Sequence, residues 1–77
     1  MSLTIKYFGL LTEVTGKHEE IFPSEINTVN ELLKELYSRH PGLESKEFKV
    51  AVGHEIVNNE SKIMSDEVAL LPPFSGG

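Results

Sequence analysis

The sequence predicts an α+β domain: a mixed sheet of four to five strands with one main helix covering one face. Three observations predict it. Short apolar–polar alternations recur at the start, middle and end of the chain, one amphipathic helix stands between them, and 77 residues leave no room for a second core. A chain of this size hides only about 60–65% of its unfolded surface, so its core must be efficient. Apolar residues make up 39% of the sequence, enough for one compact core and too many for a disordered chain.

The first strand is Leu3 to Phe8, with Leu3, Ile5 and Tyr7 alternating on one face. Leu10 to Thr15, ended by Gly16, forms a short helical turn or a loop. Glu19 to Phe22 is a second short strand, stopped by Pro23 and Ser24 and paired with the first as a wide hairpin. Thr28 and Glu31 have the spacing of a capping box. Behind them Val29, Leu32, Leu33, Leu36 and Tyr37 fall on one helical stripe, which is core, and Pro41-Gly42 stops the helix after about three turns. After a polar stretch from Glu44 to Glu47, Phe48 to Val52 alternates as a strand. Gly53 breaks or kinks it, and His54 to Val57 resumes as a short extended piece before the Asn58-Asn59 turn. Ser65-Asp66 turns into a last strand, Glu67 to Leu71. The order β-β-α-β-(β)-β is the β-grasp pattern of ubiquitin-like folds.

Composition excludes several classes. There are no cysteines, so disulfides and thiolate metal sites are ruled out. No apolar run approaches the ~20 residues that cross a bilayer, and no signal peptide opens the chain, so a cytoplasmic protein without a membrane partner is expected. The net charge is −5 with no basic cluster, a poor match to nucleic acid; such an acidic surface permits steered docking on basic protein partners, and simple solubility accounts for it equally well. His18, His40 and His54 lack metal-ligand spacing and are expected to be solvated surface histidines. The Asn59-Glu60-Ser61 triplet is a chance match to a glycosylation signal. Carboxylates are scattered, and neither a phosphate loop nor a nucleophile elbow is present. A walled catalytic pocket of a few hundred Å³ would consume a large part of so small a core, so binding or carrying is favoured over catalysis.

The unusual segment is the end, Leu70-Leu71-Pro72-Pro73-Phe74-Ser75-Gly76-Gly77. Two prolines cannot continue a sheet interior, so residues 1–71 read as the domain and 72–77 as a semi-stiff extended tail. The tail finishes on two residues without a Cβ, which is what a narrow tunnel in a partner demands. An inert, frayed terminus is the alternative.

The segment Asp66 to Gly77 closely resembles the C-terminal signature of the small-subunit family of molybdopterin synthase, the ubiquitin-like sulfur carriers. Ile5-Lys6-Tyr7-Phe8 with Glu13-Val14-Thr15-Gly16, Thr28-Val29 before Leu32 and Leu33, and Val50-Ala51-Val52 extend the resemblance over nearly the whole chain. The tail is its specific part. Thiamine-pathway sulfur carriers also end in Gly-Gly but usually lack the Pro-Pro pair. Phe74 departs from the valine-like residue expected beside the prolines and puts the fit to the partner's tunnel in question.

The resemblance implies that the carboxyl of Gly77 is the working group. An E1-like adenylating enzyme would use ATP to form an acyl adenylate there, and a sulfur donor would replace AMP to leave a thiocarboxylate. Pro72, Pro73, Phe74, Ser75 and Gly76 would then enter the large subunit, which converts cyclic pyranopterin monophosphate with two loaded carriers per dithiolene. The chain itself would bind no cofactor and carry its sulfur covalently. It would not be catalytic alone. No extension follows Gly77, so no maturation protease is expected. Strand parity turns Phe8, Ile56 and Leu71 outward, and they match family contacts to the large subunit; the alternative is that some complete the core. Rival roles are a protein modifier conjugated through Gly77, a sulfur carrier for thiamine or cysteine synthesis, and a plain binding module with an inert tail.

Overall fold

The main helix is the element around which the rest is arranged. In the computed structural model, which describes residues 2–23 and 26–72, α2 spans Val29–Arg39 and opens on the capping box expected from the sequence. The Thr28 hydroxyl accepts from the Glu31 N–H at 3.2 Å, and the Glu31 carboxylate accepts from the Thr28 N–H at 3.2 Å and the Asn27 N–H at 2.9 Å. Orphan donors at the helix start are thereby satisfied, and these backbone bonds hold the Glu31 carboxyl below the ordinary carboxylate range. Val29, Leu32, Leu33 and Leu36 are buried, while Tyr37 at the stripe's end is half-buried against the core.

Five strands form one sheet in the order β2-β1-β5-β3-β4. β1 (Ser2–Tyr7) pairs antiparallel with β2 (Glu19–Pro23) and parallel with β5 (Glu67–Leu71); β3 (Lys49–Val52) pairs antiparallel with both β5 and β4 (Glu55–Val57). The parallel central pair joins the first strand to the last, so α2 crosses between them over one face. Leu3, Ile5, Tyr7, Phe22, Val50, Val52, Val68 and Leu70 fill that face beneath the helix. A short α1 (Leu11–Thr15) follows β1. β3 and β4 are joined by the two-residue turn Gly53-His54, both with left-handed φ (58° and 72°), the turn that matches the twist of a tight hairpin.

Several elements differ from the sequence expectation. β1 ends at Tyr7 and β3 starts at Lys49, leaving Phe8 and Phe48 just outside the ladder. Pro41 does end α2, but it also opens a 3-10 helix, Pro41–Ser45. Proline suits a first helical turn because that N–H would be unpaired anyway. This turn buries Leu43 completely within a stretch that otherwise reads as polar. His40 is not a solvated histidine. Its side chain is 13% exposed, bonded to Glu20 at 2.9 Å and edge-on to the Tyr7 ring.

Candidate functional site

The face of the sheet opposite α2 carries the outward residues of the same strands. Because β1 and β5 run parallel with Tyr7 opposite Leu70, Phe8 and Leu71 leave the sheet side by side, and the Phe8 N–H still donates to the Leu70 carbonyl at 3.2 Å. Alternation along β5 buries Val68 and Leu70 and leaves Leu71 half-buried on the other side. Across β3, Ala51 pairs with Ala69 on one side and with Ile56 on the other. The small alanines leave a depression of about 280 Å³ walled by Phe8, Ile56 and Leu71. Phe8 is 44% exposed and Ile56 53% exposed. The structure therefore brings together the three residues that parity turned outward, and none of them completes the core.

One rim of the depression is charged. Lys6 Nζ and Glu67 Oε2 lie 2.6 Å apart, and His54 Nε2 is 3.7 Å from the other Glu67 oxygen. The hydrogen bond and charge of Lys6 hold the Glu67 carboxyl below the ordinary range, and Glu67 raises the Lys6 ammonium. This pair is solvent-washed, so it contributes little to the stability of the fold.

β5 runs into Pro72, which is exposed and rests on Gly9. The rest of the expected tail, Pro73, Phe74, Ser75 and Gly76, and the expected working residue Gly77 lie outside the described residues. Among the described residues no group of three or more His, Cys, Asp or Glu could hold a metal, and no helix is long and apolar enough to cross a membrane.

A polar cluster on the inner side escaped the sequence reading. Glu20 points inward with Phe22 and accepts from the Tyr7 hydroxyl at 2.7 Å and from His40 at 2.9 Å. Arg39 and Lys17 approach its second oxygen at 3.4 and 3.6 Å, and the Arg39 guanidinium lies over the Phe22 ring at 4.2 Å. Burial opposes ionisation of Glu20. The bonds from His40 and Tyr7 and the nearby positive charges outweigh it and hold the carboxyl below the ordinary range. Burial first, and the Glu20 contact second, push the Tyr7 hydroxyl well above its usual value. The cluster ties the end of α2 to β1 and β2 and stands apart from the outer face. Its signal was the shared parity of Glu20 and Phe22.

The ThiS family model matches residues 5–77, almost the whole sequence including the tail. The chain belongs to the ThiS family. Relatives within reach of this family assignment include the molybdopterin synthase sulfur carrier subunit of Homo sapiens, 36% identical and covering 95% of this chain and 91% of the relative. The protein of the same description from Chlamydomonas reinhardtii is 34% identical over the full length of both. Among solved structures, a molybdopterin converting factor subunit 1 from Pyrococcus furiosus superposes with TM-score 0.84 at 22% identity, over 96% of this chain and 99% of that one. The small archaeal modifier protein SAMP1 from Haloferax volcanii gives TM-score 0.77 at 31% identity over all of both chains. Subunits 1 and 2 of molybdopterin-converting factor from Helicobacter pylori, solved as a complex, include a match with TM-score 0.70 at 21% identity over all of both chains. The ThiS-family fold here is the β-grasp, as the order of elements predicted.

Proposed function

We propose that this chain is the sulfur carrier subunit of molybdopterin synthase, with residues 1–71 as the carrying domain and 72–77 as the working tail. The observation that carries the reading is full-length similarity to sulfur carrier subunits, 34–36% identical, in a chain whose sequence ends in Gly-Gly. The Gly77 carboxylate is a poor electrophile because its charge is delocalised and its oxygen leaves badly. An adenylating enzyme solves this by letting a carboxylate oxygen attack the α-phosphorus of ATP, releasing pyrophosphate. A sulfide equivalent then adds to the acyl carbon and AMP departs, leaving a thiocarboxylate that is ionised at neutral pH. The loaded tail, Pro72 to Gly77, enters the large subunit, while Phe8, Ile56 and Leu71 dock against it. The acid–base groups for the transfer belong to the partner. Location in the cytoplasm fits this role.

Reconstitution tests the proposal. The thiocarboxylate form, mixed with a large subunit and cyclic pyranopterin monophosphate, is expected to yield molybdopterin. The same chain carrying an ordinary carboxylate is expected to yield none. Equal product from both would overturn the reading.

A second reading rests on the full-length similarity to a small archaeal modifier protein, 31% identical. The same Gly77 adenylate would then be captured by a lysine amine, giving an isopeptide and AMP. Gly-Gly remnants on lysines of other proteins, dependent on this chain, distinguish that role.

A further inference from the structure

We infer that the open edge of β2 is a self-complementary pairing surface, taken by β2 of a second copy of this chain with Ile21 opposite Ile21. β2 ends the sheet, and among the described residues no strand lies beyond it. The Tyr7 N–H donates to the His18 carbonyl at 2.9 Å, which makes Tyr7 and His18 a hydrogen-bonded pair of the antiparallel ladder. Bonded and non-bonded pairs alternate, so Ile5–Glu20 and Leu3–Phe22 are bonded, while Lys6–Glu19 and Thr4–Ile21 are not. The other side of β1 agrees, since the Thr4 N–H turns away from β2 and donates to the Asp66 carbonyl at 2.9 Å. The backbone N–H and C=O groups of Glu19 and Ile21 therefore point away from β1, along the open edge.

The side chains on this edge match the pairing. Ile21 is 62% exposed in the middle of a five-residue strand, an apolar side chain at an edge without a covering element among the described residues. Antiparallel pairing about a two-fold axis at Ile21 sets the two Ile21 residues opposite each other and each Glu19 opposite Pro23 of the second copy. The Ile21 pair exchanges two N–H···O bonds, and each Glu19 N–H donates to the Pro23 carbonyl opposite it. Proline has no N–H to return, so the ladder stops there. On the inner face the same register places Glu20 opposite Phe22, and the Arg39 guanidinium lies over the Phe22 ring at 4.2 Å. Each Glu20 thus faces the part of the second copy that carries Arg39, and no like charges of β2 stand opposite each other.

β4, at the other end of the sheet, is only three residues long, and a short edge is poorly suited to pairing. One long open edge and a two-fold axis give a closed dimer rather than a filament. The depression walled by Phe8, Ile56 and Leu71 lies on the β5–β3–β4 side of β1, so pairing at β2 leaves it uncovered and is independent of what the tail carries. Two strands of five residues cover less than the roughly 1,200 Å² of a stable interface, and a net charge of −5 on each copy opposes association. A dissociation constant on the order of 0.1–1 mM is therefore expected.

Sedimentation equilibrium and amide exchange of the full chain, from about 0.02 to 2 mM, test this. The apparent mass is expected to climb from one chain toward two, and the Glu19 and Ile21 amides to exchange more slowly as concentration rises. Ile21→Pro removes only an outward N–H, because Thr4–Ile21 is a non-bonded pair, and is expected to weaken association at least about tenfold with the β1–β2 ladder intact. Ile21→Lys is expected to do the same, whereas Ile56→Asp should leave the dissociation constant within about threefold. A mass that stays at one chain across the whole range would overturn the inference. So would wild-type association in a folded Ile21→Pro variant, and its loss in Ile56→Asp would move the contact to the outer face. Should Ile21→Pro fail to fold in a thermal melt, Ile21→Lys decides: lost association supports the β2 edge, and undiminished association removes it.

Discussion

Replacing Ile56 by aspartate separates the proposed docking role of the outer face from its contribution to folding. Ile56 is 53% exposed on a three-residue edge strand, paired with Ala51 and at the wall of the depression beside Phe8 and Leu71. Burying an isoleucine fully is worth about 1.5–3 kcal/mol, so roughly half, about 1 kcal/mol, remains available to a partner. Ile56→Ala should therefore weaken docking to the large subunit about fivefold. Ile56→Asp adds the cost of drying an unpaired carboxylate, at least about 2 kcal/mol, so docking should weaken by about 100-fold or more. The folded domain loses only the half of the side chain already covered, about 1 kcal/mol, which lowers the melting temperature by about 4–8 °C. Titration calorimetry against the large subunit, beside a thermal melt of the free chain, reads both quantities. Wild-type affinity in a folded Ile56→Asp variant would refute the docking face. An unfolded variant would show that Ile56 belongs to the core.

Leu43→Ala should destabilise by about 2–5 kcal/mol, because Leu43 is fully buried in the 3-10 turn and its loss leaves a cavity. Denaturant unfolding checks it, and a cost below about 1 kcal/mol would mean that the turn collapses or is dispensable. The Glu20 carboxyl is held below its ordinary range in the folded chain. Its contribution is thus fully present above the unfolded carboxylate value of about 4.3 and is lost as pH falls through the lower folded value. Melting curves from pH 7 to pH 3 should show wild-type stability falling in that acid window and Glu20→Gln falling less; parallel curves would exclude Glu20 as a contributor. Deleting Gly76 and Gly77 should abolish sulfur loading while leaving docking within about threefold, since the outer face remains; loading of the truncated chain would place the working group elsewhere.

Much of this architecture was legible because local signals and global fold agree. The Thr28–Glu31 box and the Val29-to-Leu36 stripe specify both the start of α2 and the face it buries. Period-two alternation in β1 and β5 placed Ile5, Val68 and Leu70 inside, and by the same parity Phe8 and Leu71 outside. What stayed hidden depends on contacts between distant residues. Leu43 is a single apolar residue in a polar run and has no periodicity to betray it. His40 becomes buried only when α2 returns over Tyr7 and Glu20, and its sequence neighbours say nothing of that. Gly9 reads as an ordinary turn glycine until β5 brings Pro72 against it. The tail's composition was visible at once, whereas its point of departure required the parallel β1–β5 pair.

The most direct test of the carrier role is intact-protein mass spectrometry of this chain after incubation with ATP, a sulfur source and an adenylating enzyme active on this family. The account predicts a mass increase equal to replacement of one oxygen by sulfur, located by fragmentation at Gly77 and dependent on ATP. An unmodified Gly77, with an enzyme that loads a control carrier under the same conditions, would contradict it.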